Sequence, residues 1–247
     1  MARIKKSEVM SAVSKFQNPI FDYLCDWLGI SGVNLPIIFV DGSTDSNTLF
    51  GSIGKSTYDY EEKVINITSL SVAEQVKIRK RYSLFFLAKS AVKELLAEEL
   101  THFLHFQLAP CNINVDLVSR SKRDAIAFLF NMAVVEAIAY YGVLQVISQF
   151  KIEDQYFKNI SLRVKHCEGV VNSYIVPLSQ LKNAGMFSVD DSNYHRYIQA
   201  VVKYVSCKIV QINHFPAIKY TSEFIRNWDI RSSPSEQERS LFKSWLS

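Results

Sequence analysis

Thirteen residues, Glu94-Leu-Leu-Ala-Glu-Glu-Leu-Thr-His-Phe-Leu-His-Phe106, set three carboxylates and two of the chain's five histidines on one short segment. Leu95, Leu96, Leu100, Phe103 and Phe106 recur there at three- and four-residue steps, which predicts an amphipathic helix packed on its apolar side. Glu94, Glu98, His102 and His105 follow at steps of four, four and three, so they share one stripe of that helix. Glu99 flanks the stripe, about 60° round from His102 at about 100° per residue. Carboxylates and imidazoles one turn apart can hold a metal ion; the same stripe is equally the solvated face of an ordinary helix.

A second acid bears on that choice. Glu136 is the one charged residue in Phe128-Leu-Phe-Asn-Met-Ala-Val-Val-Glu-Ala-Ile-Ala-Tyr-Tyr-Gly142. A carboxylate that deep in an apolar helix is costly or protonated unless it is paired. Glu136 therefore calls for a cation, a metal or a hydrogen-bonding neighbour.

These residues must be positioned by the rest of a 247-residue chain, long enough for one large or two modest domains. Eight glycines and six prolines leave long uninterrupted segments, so a mostly helical protein is expected. Residues 7–28 have helical spacing interrupted by Pro19, which predicts two short helices or one kinked one, closed by Gly29. Leu35-Pro-Ile-Ile-Phe-Val40, followed by Asp-Gly, has the pattern of a buried strand and turn. Residues 48–53 and 63–68 suggest a hairpin, with Ile65 and Ile67 on one face. Gly51-Ser-Ile-Gly-Lys-Ser56 within it is no phosphate-binding loop, because the position that needs the first glycine is Leu49.

Ser71-Val-Ala-Glu74 is a capping box and predicts a helix start. That helix breaks near 80–83 and resumes over 84–108, with Pro110 as its stop; a second helix spans 125–150. Beyond residue 150 the pattern is of more polar helices over 153–181, 192–211 and 221–228, and a terminal helix opening at Pro234. The expected division is an α+β domain over 1–149 and a helical subdomain over 150–247.

The net charge of +4 is mild and spread, with small basic groups at 77–81 and 120–123, so composition argues against a dedicated nucleic-acid surface. Cys25, Cys111, Cys167 and Cys207 form no CxxC pair and read as single buried thiols. No apolar leader follows Met-Ala-Arg-Ile-Lys-Lys, and no run of about 18 apolar residues suggests a span, so a cytoplasmic protein with no membrane partner is expected.

In order, the chain gives an apolar strand, a hairpin ending Val-Ile-Asn-Ile, a helix with Ala-Glu-Glu-Leu-Thr-His and a later helix with Glu-Ala-Ile-Ala-Tyr-Tyr. Over about residues 35–145 this resembles the gluzincin branch of zinc metallopeptidases. There a sheet edge precedes a His-Glu-x-x-His helix, and the third ligand is a glutamate on a following helix. The resemblance implies a zincin-like fold: a small N-terminal mixed sheet packed on the metal-site helix, with the helical C-terminal half added. It implies Glu99 as the catalytic base, Glu98, His102 and Glu136 as metal ligands, zinc as cofactor, and a peptide or protein held along the edge strand.

The departure is at the first ligand, because Glu98 stands where the family has histidine. A carboxylate can bind zinc, but two of them neutralise the ion and acidify its water less, and they shift preference toward manganese or iron. His105, on the same face, offers a further ligand. The alternatives are a catalytically inactive scaffold of the same fold that binds no metal, and a helical interaction or nucleic-acid-associated protein. A carboxylate-bridged di-metal bundle fits less well, since such bundles use two Glu-x-x-His helices and the residue three after Glu136 is Ala139.

Overall fold

The computed structural model describes residues 4–42, 57–59, 62–79, 88–108, 125–152, 159–173, 192–212, 225 and 233–246. The chain is a mostly helical α+β protein with a small mixed sheet. Helix α1 (Lys6–Leu28) runs unbroken through Pro19 and buries Val9, Val13, Ile20, Leu24 and Leu28. It stops at Gly29, whose φ of 61° lets its N–H reach Asp26 O while Ile30 N–H reaches Cys25 O. That paired closure needs a left-handed residue, which glycine supplies without strain.

Strand β1 (Ile37–Val40) pairs parallel with β3 (Val64–Ile67), and β2 (Thr57–Asp59) pairs antiparallel with β3, giving the order β1-β3-β2. Ile65 and Ile67 are fully buried, as their pattern predicts. The buried strand expected at 35–40 is instead an edge strand: Ile37 is 63% and Phe39 46% exposed, because only one face of β1 meets the core. The hairpin arm is 57–59, and the expected arm at 48–53 lies outside the described residues. The buried Asn66 side chain accepts from Gly42 N–H at 3.1 Å and donates to Gly42 O at 3.3 Å, tying the end of β1 to β3.

Helix α2 (Ser69–Arg79) begins two residues before the expected capping box. Thr68 is the cap: its Oγ1 accepts from Ser71 N–H at 3.1 Å, while Asp41 receives the Ser69 N–H at 2.7 Å and its hydroxyl at 2.6 Å. The expected break at 80–83 lies outside the described residues. Helices α3 (Ala88–Leu108) and α4 (Ala125–Gln149) then form the centre. They are followed by α5 (Ile160–Asn172), α6 (Ser192–Gln211) and α7 (Glu236–Leu246). The remainder of the helix expected over 153–181, and nearly all of that over 221–228, lie outside the described residues. At α7 the capping box is real: Ser235 N–H donates to Glu238 Oε2 at 2.7 Å, and Glu238 N–H to Ser235 Oγ at 3.3 Å.

Packing orders these pieces around α3 and α4. Helix α3 meets α1, α2, α4 and the β2–β3 edge; α4 in turn packs on α6, α6 on α5, and α7 on α4. The amphipathic α3 expected from its sequence is buried nearly all round, including Glu94, Glu99, His102 and His105. Helix α4 has the length and apolarity to cross a membrane over Leu129–Gln149, yet 83% of that window is buried inside the protein. It is the central helix of a core, and both halves of the chain pack against it.

Gly142 sets how closely α3 and α4 approach. A Cβ there would run into the Thr101 side chain, coming within 2.9 Å of its Cβ. Thr101 is itself fixed, its hydroxyl donating to Ala97 O at 2.6 Å. Only a residue without a side chain lets the two helices meet at this level, one residue from His102.

Candidate metal centre

Glu98 and His102 sit one turn apart on α3, and Glu136 comes from the facing side of α4. One ligand atom from each lies within 4.8 Å of the other two. His102 Nε2 stands 3.6 Å from Glu136 Oε1, so the partner that Glu136 needed is this imidazole. The His102 Nδ1 is buried and makes no hydrogen bond among the described residues. Two carboxylates and an imidazole this close suit a single divalent ion of intermediate hardness, so the donor set fits a metal.

The sequence reading missed the cation beside this group. Lys203 of α6 places Nζ 3.2 Å from Glu98 Oε1. Burial pushes the Glu98 carboxyl up, but Lys203, then Arg163 and His102, outweigh it and hold the group at about 2. Lys203 is in turn raised, chiefly by Glu98 and in smaller part by Glu136. The helical half of the chain, which carries no motif, thus supplies the charge that balances the site. A signal for it was present, since Lys203 interrupts the apolar Ala200-Val-Val-Lys-Tyr-Val205 much as Glu136 interrupts α4.

Glu99 lies on the other side of the stripe, toward the sheet. The Tyr58 backbone N–H of β2 bonds its carboxylate, and the Tyr58 ring packs edge-on to Phe103 at 5.6 Å and stacks on Phe106 at 6.1 Å. Burial, then the neighbouring charges of Glu98 and Glu136, push the Glu99 carboxyl well above the usual carboxylate range. The like charges crowded against it, together with its burial, thus favour the protonated form of Glu99.

His105, expected as a further ligand, stands outside the group of three. Its ring lies against Phe106 with centroids 5.1 Å apart, and burial followed by the His102 ring brings it down to about 3. It is a neutral core histidine one turn beyond the site. Of the other three histidines, His166 is half-buried on α5, His195 belongs to the first turn of α6, and His214 lies outside the described residues.

The structure brings together Glu98, His102 and Glu136 from sequence positions up to 38 residues apart, sets Glu99 beside them and adds Lys203. No family model, no curated protein and no solved structure matches this chain.

Proposed function

We propose that this chain is a divalent-metal protein of zincin-like type, with Glu98, His102 and Glu136 as ligands and a peptide as the bound substrate or partner. The convergence of these three donors from two helices within 4.8 Å is the observation that carries the reading. Zinc is the proposed ion, with manganese or iron as the harder alternatives that a two-carboxylate set favours. Once bound, the ion supplies Lewis-acid polarisation of a carbonyl. The peptide would lie along an edge of the β1-β3-β2 sheet, two of whose strands pack on the same helix. Glu99, fixed by the Tyr58 N–H of β2, is the carboxyl that flanks the ligands without belonging to the group of three. In the proposed role its carboxylate, ionised once a cation occupies the site, would accept a proton from the attacking water and pass it to the leaving group. The free thiols of Cys25, Cys167 and Cys207 suit a reducing compartment, so a cytoplasmic setting goes with this reading.

A second reading has its own observation. Lys203 already stands 3.2 Å from Glu98, so the cluster could be a pair of structural ion contacts in an inactive scaffold. Calorimetric titration of metal-stripped protein with zinc, manganese(II) and iron(II) separates the two. Stoichiometric uptake that His102→Ala and Glu136→Gln both abolish is expected. Uptake of none of the three ions sinks the metal reading and leaves the scaffold. If metal binds, Glu99→Gln retains it and loses any hydrolysis of an unfolded protein substrate; hydrolysis that survives refutes Glu99 as the base.

A further inference from the structure

Two of the four cysteines, 40 positions apart, meet where α5 packs on α6. The Sγ atoms of Cys167 and Cys207 lie 3.9 Å apart, the distance of a thiol hydrogen bond. A disulfide needs about 2.05 Å, so the two sulfurs must approach by about 2 Å more to bond. Cys207 is buried and Cys167 half-buried, so solvent meets the pair from the Cys167 side. Arg163, one turn before Cys167 on α5, places its guanidinium beside Cys207 and favours the thiolate there. The Arg163 guanidinium is itself seated over the Tyr140 ring of α4, 4.3 Å from its centroid.

We propose that Cys167 and Cys207 form a reversible redox couple, which a small peroxide closes into a disulfide joining α5 to α6. Cys207 is the attacking sulfur. The hydrogen bond from Cys167, reinforced by Arg163, outweighs burial and holds its thiol at about 6, whereas burial lifts Cys25 to about 11. Its thiolate attacks one peroxide oxygen: the S–O bond forms as the O–O bond breaks, and the departing hydroxide takes a proton and leaves as water. Cys167 then loses its proton and attacks the Cys207 sulfur, forming the S–S bond as the S–O bond breaks and a second water leaves. Together the thiols lose two electrons, and one hydrogen peroxide becomes two waters. Cys207 lies one turn after Lys203 on α6, so the crosslink forms directly beside the ammonium that holds Glu98.

The test treats the full-length native chain with stoichiometric hydrogen peroxide, blocks remaining thiols by alkylation and reads the intact mass and the peptide map. The expected result is the loss of two hydrogens and of two alkylatable thiols, with Cys167 and Cys207 recovered in one crosslinked peptide that dithiothreitol separates. Cys167→Ser should stop at the sulfenic acid on Cys207, trapped by dimedone. Addition of oxygen without a crosslink, a crosslink that runs to Cys25 or Cys111, or no reaction at all overturns the proposal. The wild-type map decides this even if a serine variant does not fold.

Discussion

Replacing Lys203 with Met removes the ammonium from Glu98 while keeping a long apolar stem, and it moves stability and metal affinity in opposite directions. In the metal-free protein the Glu98 carboxyl is held at about 2, against its usual 4.5, with Lys203 the first of the charges that overcome burial. At full strength that displacement corresponds to about 3 kcal/mol. The Lys203 side chain is 47% exposed, so water screens the pair and a loss of about 1–2 kcal/mol is the appropriate expectation. The sign with pH follows from Glu98. A depressed carboxylate contributes stability above its unfolded pKa and loses it as pH falls through the folded value. The difference between wild type and variant should therefore be full at neutral pH and fade between about 4.5 and 2. Metal affinity moves the other way, because the ammonium competes for Glu98 Oε1: the variant should bind zinc about tenfold more tightly, or about 1.4 kcal/mol. Urea unfolding of metal-free protein at several pH values gives the first quantity and calorimetry gives the second. A variant as stable as wild type at pH 7 would refute the ion pair's contribution. One that loses stability and zinc affinity together would show that Lys203 and Glu98 serve as scaffolding.

Gly142→Ala should destabilise the protein despite gaining about 1 kcal/mol of helix propensity, since a rigid, hydrogen-bonded Thr101 occupies the space the methyl needs. Urea midpoints should show a net loss of about 1–2 kcal/mol that is smaller in the Thr101→Ala background; a more stable single variant would mean that the helices yield freely. His105 is held at about 3, first by burial and then by His102, so the unfolded chain takes up a proton that the native state refuses below its usual 6.5. Its contribution is present above 6.5 and is lost as pH falls toward 3, at up to about 1.4 kcal/mol per pH unit, and His105→Leu should flatten that slope. An unchanged acid profile would remove His105 from the account. The Cys167–Cys207 crosslink, spanning 40 residues, should stabilise the oxidised chain by up to about 4 kcal/mol over the reduced one, measured as a shift in urea midpoint with and without dithiothreitol. No shift in protein whose crosslink has been mapped would show that strain in the native state offsets the entropy.

Local chemistry made much of this molecule legible from the sequence. The periodicity of 88–108, 125–149 and 192–211 depends only on which residues follow one another, and those helices stand nearly where the pattern places them. The stripe of Glu98 and His102 is a property of a single helix, and the isolation of Glu136 in an apolar run announces a buried partner without naming it. Capping was less legible, because Asp41, 28 positions away, and Thr68 compete with the Ser71 box for the start of α2.

What the sequence could not decide are distances between elements, which depend on side-chain volumes acting across helices. Gly142 against Thr101 fixes how near α4 comes to α3. Lys203 finds Glu98, and Cys167 finds Cys207, only because α6 lies along α4 and α5 along α6. For the same reason a face with the composition of a solvated stripe is buried: α1, α2, α4 and the sheet surround α3 on every side, so its acids and histidines must find their partners inside the protein.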